Sequence, residues 1–237
     1  MFDLSDITAV ILVGGLGTRL RSVVNDRPKV MAPVLGRPFL SYLLDQLSSA
    51  GVKHVVLCTG YMGEYINNLM GYFYGDITLK YSLEPFPLGT GGALKFALPE
   101  IKSQTFLVMN GDSFCNIDLR DFYLWHVNMK SRASLTVTKV DDTGRYGRVF
   151  INEHEKIEKF LEKDGMNIPG WINAGIYLLN YDVINSIPDN TNISLEKEIF
   201  PHCINDGLYA YKKESLFIDM GTPEAYSKIE SFFNNIN

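Results

Sequence analysis

The chain has 237 residues with 46% hydrophobic and 21% charged side chains, enough for a full core and too apolar for long disorder. A formal net charge of −5 argues against a general nucleic-acid binder, so an anionic ligand must be met by local cations or metal. Cys58, Cys115 and Cys203 are odd in number and widely spaced, and His54, His126, His154 and His202 form no spaced pair. Neither a disulfide framework nor a zinc site is therefore expected. No apolar run approaches membrane-spanning length, and Asp3 and Asp6 stand where a signal peptide would carry Lys or Arg, so the expectation is a cytoplasmic protein without a membrane partner.

The chain opens with a short apolar run at residues 9–13, of the length and β-branched content of a buried strand. Gly14, Gly15 and Gly17 follow, then Arg19 and Lys29. Clustered glycines let backbone amides approach phosphate oxygens, so the stretch reads as a triphosphate loop at the carboxyl end of a first parallel strand. It matches neither the dinucleotide fingerprint nor the Walker loop, and on these residues alone a plain glycine-rich turn remains the alternative.

Pro38 is placed to start a helix with apolar residues at three-to-four spacing that stops at Gly51. A strand at 54–59, a helix at 64–70 and a strand at 78–83 continue an alternation that predicts a doubly wound α/β sheet. A second glycine-rich turn at 88–92 leads into a helix expected at 93–98. A buried strand at 105–109 ends in Asn110-Gly111-Asp112. That aspartate sits where open sheets bind ligands and ions, or is a simple turn aspartate.

A helix is expected at 119–129 and a strand at 133–140. Beyond residue 141, short segments at 148–151, 157–161 and 175–179 suggest antiparallel or mixed pairing. After residues 195–200 comes a strand at 208–212, and Thr222 caps a final helix that Pro223 opens and that runs to residue 233. With no repeat or linker, the expectation is one domain over 1–237 with two lobes, 1–140 and a smaller one at 141–237. Exposed aromatics in Gly71-Tyr72-Phe73-Tyr74 would form a homo-oligomer interface or line the core.

The ordered motifs GGxGTRL at 14–20, Pro28-Lys29, LGTGGAL at 88–94, Gly111-Asp112, Glu162-Lys163, NAGIY at 173–177 and DxGTPE at 219–224 resemble the nucleoside diphosphate sugar pyrophosphorylase family. The resemblance spans nearly the whole chain. It implies a GT-A-like, Rossmann-like doubly wound mixed sheet, a nucleotide-binding lobe at 1–140, a sugar-binding lobe with the closing metal-ligand segment at 141–237, and transfer of a nucleotidyl group from an NTP to a sugar 1-phosphate. It also implies a nucleotide site of Val13, Gly14, Gly15, Gly17, Thr18, Arg19, Glu84, Gly89, Thr90 and Asn110. Arg19 would steady the leaving pyrophosphate and Lys29 the α-phosphate. Asp112 and Asp219 would hold Mg²⁺, and Lys163 would hold the sugar phosphate. Gly147, Glu162 and Asn173, joined by Tyr146 and Glu196, would face the sugar.

Direct in-line displacement is expected, because the attacking phosphate is already anionic and no protein nucleophile is required. Glu84 points to GTP: a carboxylate accepts two hydrogen bonds, matching the adjacent N1–H and N2–H₂ donors of guanine. Its alternative is a local cap. Within the family, residues 20–34 are more similar to the bacterial D-glycero-D-manno-heptose 1-phosphate guanylyltransferases than to the mannose enzymes, which implies GDP-heptose for capsule, lipopolysaccharide or S-layer glycan. Departures from the family pattern are Val23-Val24, Val30 and Asp164, the last beside Lys163. Rival readings are a mannose-1-phosphate guanylyltransferase, a UTP- or dTTP-using enzyme, and a non-catalytic sugar-nucleotide sensor. A metal-dependent glycosyltransferase is disfavoured because Asp112-Ser113-Phe114 lacks a D-x-D.

Overall fold

The computed structural model describes residues 3–161, 165 and 167–236. The chain begins with β1 (Thr8–Leu12), the short strands β2 (Pro33–Val34) and β3 (Arg37–Pro38), α1 (Phe39–Ser49), β4 (His54–Thr59) and α2 (Gly63–Met70). It continues through β5 (Phe73–Tyr74), β6 (Ile77–Leu83), α3 (Gly89–Ala97), β7 (Thr105–Asn110), β8 (Ser113–Cys115) and α4 (Leu119–Asn128). The second half holds β9 (Ala133–Val140), β10 (Arg148–Ile151), β11 (Ile157–Leu161), β12 (Gly170–Asn180) and α5 (Tyr181–Asn185). A π-helical turn at Leu195–Ile199, α6 (Phe200–Asp206), β13 (Leu208–Lys212), β14 (Phe217–Asp219), α7 (Pro223–Ser227) and α8 (Ile229–Asn234) complete it.

The main sheet runs β11-β10-β12-β7-β1-β4-β6-β5, with β9 joining β12 to β13. Strands β7, β1, β4 and β6 are parallel, whereas β12 runs antiparallel to both β7 and β9. This is the mixed sheet that the change of texture at residue 141 suggests. The sheet itself is continuous across that point.

Why the parallel strands read as unbroken apolar runs is plain from their two faces. Successive side chains point to opposite sides of a strand. Ala9, Ile11, Val55, Leu57, Leu107 and Met109 enter one core, with α1, α4 and α8. Val10, Val56, Phe106 and Val108 enter the other, with α3, α5 and α6. Helices thus cover both faces, and ligand-bearing loops are left at the strands' carboxyl ends.

Three elements differ from expectation. Helix α3 begins at Gly89 rather than residue 93, so the expected glycine-rich turn is its first turn. Glycine is a poor helix former, but here it admits a neighbouring strand of chain: the Gly91 and Gly92 amides donate to the Ile193 carbonyl oxygen at 2.9 and 3.3 Å. A Cβ on Gly92 would sit 2.2 Å from the Thr191 carbonyl oxygen. Strand β12 extends well beyond 175–179 and carries a register shift between Asn173 and Tyr177. The last helix, capped by the Thr222 hydroxyl as expected, breaks at Lys228 into α7 and α8, which brings Phe233 onto Tyr42 with ring centroids 3.9 Å apart.

In the aromatic run Tyr74 packs against the core, as one expectation has it, and donates to Asp45 at 2.6 Å, while Tyr72 and Phe73 are exposed. Val24 and Val30 are buried packing residues and Val23 lies on the surface. No helix among the described residues is long and apolar enough to cross a membrane.

Candidate functional site

The carboxyl ends of β1, β4, β6 and β7 open into a cleft of about 760 Å³. Val13, Gly14, Gly15, Gly17, Thr18, Arg19, Lys29, Glu84, Gly89, Thr90, Asn110 and Asp112 all line it, so the structure gathers the expected nucleotide positions with Arg19, Lys29 and Asp112 of the expected catalytic ones from distant parts of the sequence. Gly60, Tyr61, Pro85, Phe86, Pro87 and Gly221 line it too. Sequence reading missed these as site residues; the only signal was their place just after strand ends or within a recognised motif.

The loop after β1 is held by its neighbours. Gly111 donates to the Leu12 carbonyl at 3.0 Å, tying the end of β7 to the end of β1. Gly17 adopts φ +59, a left-handed conformation that favours glycine, and starts a 3-10 turn over Thr18–Leu20. Leu20 is buried as the anchor of that turn, while Arg19 is exposed towards the cleft. A second 3-10 turn, Lys29–Met31, buries Val30 and Met31 and leaves Lys29 facing the same space. The three loop glycines therefore have different causes: Gly14 lies against Glu84, Gly17 needs its backbone angle, and Gly15 faces open space.

Asp112 and Asp219 come together through a small two-stranded sheet. In the antiparallel pairing of β14 with β8, Asp219 stands opposite Ser113, and Met220 donates to the Asp112 carbonyl oxygen at 2.9 Å. Residues more than a hundred positions apart thus present carboxylates from adjoining backbone. Lys29 Nζ lies 2.6 Å from Asp112 Oδ2. Asp219 Oδ1 accepts from the Gly221 amide at 2.6 Å, and Arg19 Nη2 lies 3.1 Å from where a Cβ on Gly221 would stand. The first loop therefore meets the closing segment beside the carboxylates. Hard oxygen donors in this arrangement suit Mg²⁺, which needs few protein carboxylates when phosphates and water complete its shell. No group of three or more His, Cys, Asp or Glu side chains forms an all-protein cage among the described residues.

Glu84 lies at the β6 end of the cleft. Its Oε2 accepts from the Leu88 amide at 3.0 Å, so the local cap expected as an alternative is present, and the side chain lines the cleft as well. Burial pushes its carboxyl upward from the ordinary value, against the opposing pull of the Leu88 amide.

Behind the cleft runs a buried polar network. The Tyr177 hydroxyl accepts from Asn110 Nδ2 at 3.2 Å and Asn173 Nδ2 at 2.8 Å, and donates to Glu196 Oε1 at 3.4 Å. Glu196 Oε2 accepts from Thr90 and Ser194 hydroxyls at 2.8 and 2.9 Å. Burial first, then the Glu196 charge, holds the Tyr177 hydroxyl protonated. The Thr90 hydroxyl also accepts from the Leu195 amide, so its lone pair and proton both serve the fold. Asn110 lines the cleft, and its buried Oδ1 has no hydrogen-bond partner among the described residues.

The expected sugar residues are less gathered. Asn173 spends its side chain on Tyr177 and on the Gly175 amide, and its own amide donates to the Gly147 carbonyl at 3.2 Å. Neither Asn173 nor Gly147 lines the cleft, so the structure gives them positioning contacts. Tyr146 packs edge-on against Phe217, and Arg145 Nη2 donates to the Thr222 hydroxyl at 2.9 Å. Glu162, Lys163 and Asp164 lie outside the described residues.

Comparison with known proteins adds four findings. Residues 8–235 match the family model described as nucleotidyl transferase. A D-glycero-alpha-D-manno-heptose 1-phosphate guanylyltransferase of Aneurinibacillus thermoaerophilus is 36% identical over 223 residues, covering 94% of this chain and 96% of that protein. A mannose-1-phosphate guanylyltransferase of Mycobacterium tuberculosis is also 36% identical, over 93% of this chain but 62% of its own length. The crystal structure of HddC from Yersinia pseudotuberculosis complexed with GMP-PN superposes with a TM-score of 0.84 at 34% identity, covering 96% of this chain and 99% of that one.

Proposed function

This chain belongs to the nucleotidyl transferase family and has its GT-A-like fold, and from that premise we propose that it transfers GMP from GTP to a sugar 1-phosphate, D-glycero-α-D-manno-heptose 1-phosphate, releasing pyrophosphate. The observation that carries the base assignment is Glu84: a half-buried carboxylate whose backbone clamp leaves acceptor capacity facing the cleft. Guanine offers adjacent donors to such a group, whereas uracil and thymine offer one donor beside an acceptor. Near-complete mutual coverage with the heptose relative supports the sugar assignment. The mannose relative, of equal identity, supports mannose 1-phosphate as the second reading.

In this reading the loop amides around Gly15 receive the triphosphate, and Arg19 meets the charge that develops on the leaving pyrophosphate. Lys29 shifts towards the α-phosphate as negative charge grows there. Asp112 and Asp219 would hold Mg²⁺. When bound, the ion would neutralise phosphate charge and align the reacting groups. The sugar-phosphate oxygen attacks the α-phosphorus directly, and the bond to the β-phosphate oxygen breaks. Lys163 is assigned to the sugar phosphate. We place the reaction in the cytoplasm and its product, GDP-heptose, in capsule, lipopolysaccharide or S-layer glycan synthesis.

The test is pyrophosphate release over a grid of GTP, UTP, dTTP and ATP against heptose, mannose and glucose 1-phosphates with Mg²⁺. GTP with the heptose phosphate should give the highest kcat/KM. A preference for UTP or dTTP overturns the base assignment, and nucleotide binding without turnover of any sugar phosphate favours a sensor.

A further inference from the structure

Glu84 is boxed in by backbone. Its own amide donates to the Thr59 carbonyl at 2.9 Å, so the residue cannot retreat from β4, and the Leu88 amide fixes Oε2 at 3.0 Å. Oε1 lies over two glycines. A Cβ on Gly60 would stand 2.5 Å from Oε1 and 3.1 Å from the Gly14 carbonyl oxygen, and a Cβ on Gly14 would stand 2.9 Å from Oε1. Separations below 3 Å are not tolerated, so either side chain would expel the carboxylate from its seat. Neither glycine has a positive φ. Backbone conformation therefore makes no demand for glycine at residue 60, and alanine can adopt the same geometry. The strongest obstacle to a side chain there is the carboxylate, at 2.5 Å, with the Gly14 carbonyl oxygen next at 3.1 Å.

The geometry points to Gly60 as a specificity-determining residue, one that touches no reacting atom and selects the base by leaving room for the Glu84 carboxylate. This rests on Glu84 reading the base. Two parallel hydrogen bonds to adjacent donors tolerate little lateral error, because hydrogen bonds weaken steeply as distance and angle depart from their optimum. A methyl at residue 60 moves Oε1 by roughly 1 Å, enough to keep at most one of the two bonds. Gly60 belongs to Thr59-Gly60-Tyr61, outside both glycine-rich motifs, so sequence pattern alone gives it no role.

The experiment compares GTP with ITP, which lacks the 2-amino group, in the full-length protein and in G60A, E84A and the double variant, with one sugar phosphate throughout. A hydrogen bond to a charged acceptor predicts a preference for GTP over ITP of roughly 10- to 100-fold in kcat/KM. E84A should bring that ratio close to one. G60A should do the same, mainly by losing activity with GTP, and adding it to E84A should change nothing further, because the group it displaces is gone. The double variant loses the carboxylate clash and keeps only the 3.1 Å approach to the Gly14 carbonyl oxygen, which a shift of a few tenths of an ångström relieves, and so reports on residue 60 even where the single variant folds poorly. Retention of the ratio in G60A, equal loss with both nucleotides, or a further loss in the double variant over E84A overturns the role of Gly60 while the base reading stands. An unchanged ratio in E84A overturns the base reading, and the role of Gly60 with it.

Discussion

Lys29 Nζ and Asp112 Oδ2 are 2.6 Å apart, the lysine side chain 10% exposed and the aspartate 43%. Each is the counter-charge of the other, although one comes from the loop after β1 and the other from the end of β7. Removing one partner leaves a poorly hydrated charge behind, which costs more than the pair contributes. D112N should therefore lower activity by about 100-fold or more through loss of the proposed Mg²⁺ ligand and phosphate alignment, and also lower stability by roughly 1–3 kcal/mol. Combining it with K29M should recover most of the melting temperature but no activity, since contacting residues are non-additive. Pyrophosphate release and thermal melts on the same four proteins check this.

Glu84→Gln exchanges one acceptor for a donor while keeping the shape. GTP should lose about 10- to 100-fold in kcat/KM and UTP much less. The wild-type protein should show the same change with pH. Burial raises the Glu84 carboxyl above its ordinary value of 4.5, so it takes up a proton at higher pH than a free glutamate does. Preference for GTP should be full at neutral pH and disappear as pH falls through that raised value, measured as the ratio of kcat/KM for GTP and UTP.

Tyr177→Phe removes the hydroxyl that joins Asn110, Asn173 and Glu196. Several buried polar groups lose a partner at once, so stability should drop by about 1–3 kcal/mol. Because Asn110 lines the cleft and Glu196 holds Thr90 on α3, both at expected nucleotide positions, KM for GTP should rise more than KM for the sugar phosphate. Equal rises would assign the network to folding alone.

Gly92→Ala places a methyl 2.2 Å from the Thr191 carbonyl oxygen, against backbone that cannot give way as a flexible side chain would. The segment after α5 should be pushed off α3, the Ile193 bonds to Gly91 and Gly92 should be lost, and stability should fall by roughly 2 kcal/mol or more. Hydrogen exchange at the Gly91 and Gly92 amides should speed up ahead of the rest of α3.

His126 is buried at the end of α4, with Nδ1 2.8 Å from the Ser134 hydroxyl, and burial depresses it from 6.5 to about 4. The folded state thus holds it neutral while the unfolded chain protonates it. Stability is full above pH 6.5 and is lost as pH falls from there to about 4, by on the order of 3 kcal/mol in that window. His126→Gln should flatten this part of the stability curve in urea titrations at stepped pH; an unchanged slope would assign the acid sensitivity to other groups.

Much of this molecule is legible from residue pattern. The parallel strands announce themselves because both faces are buried, which removes polar residues from runs such as those at 9–12 and 106–109. Helix boundaries marked by Thr222 and Pro223 are equally local signals. By contrast, the start of α3 at Gly89 contradicts helix propensity, because the glycines serve an approach by residues 191–193 that no local window contains. Likewise no local window shows that the Asn173 side chain meets the Tyr177 hydroxyl and the Gly175 amide.

Sequence by itself therefore determined the order of the longer strands and helices, though not β2, β3, β5, β8, β14 or α5, and it marked Gly15, Arg19, Lys29, Asp112 and Asp219 as positions of interest, because each of these depends on residue type and near neighbours. Tertiary structure decided how these meet. The pairing of β14 with β8 brings the two aspartates onto adjoining backbone, the Lys29–Asp112 contact joins two strand ends, and Gly14 and Gly60 make the seat of Glu84. These are contacts between residues far apart in the chain, fixed by sheet register and by how closely backbones approach, and neither quantity is written in any single stretch of sequence.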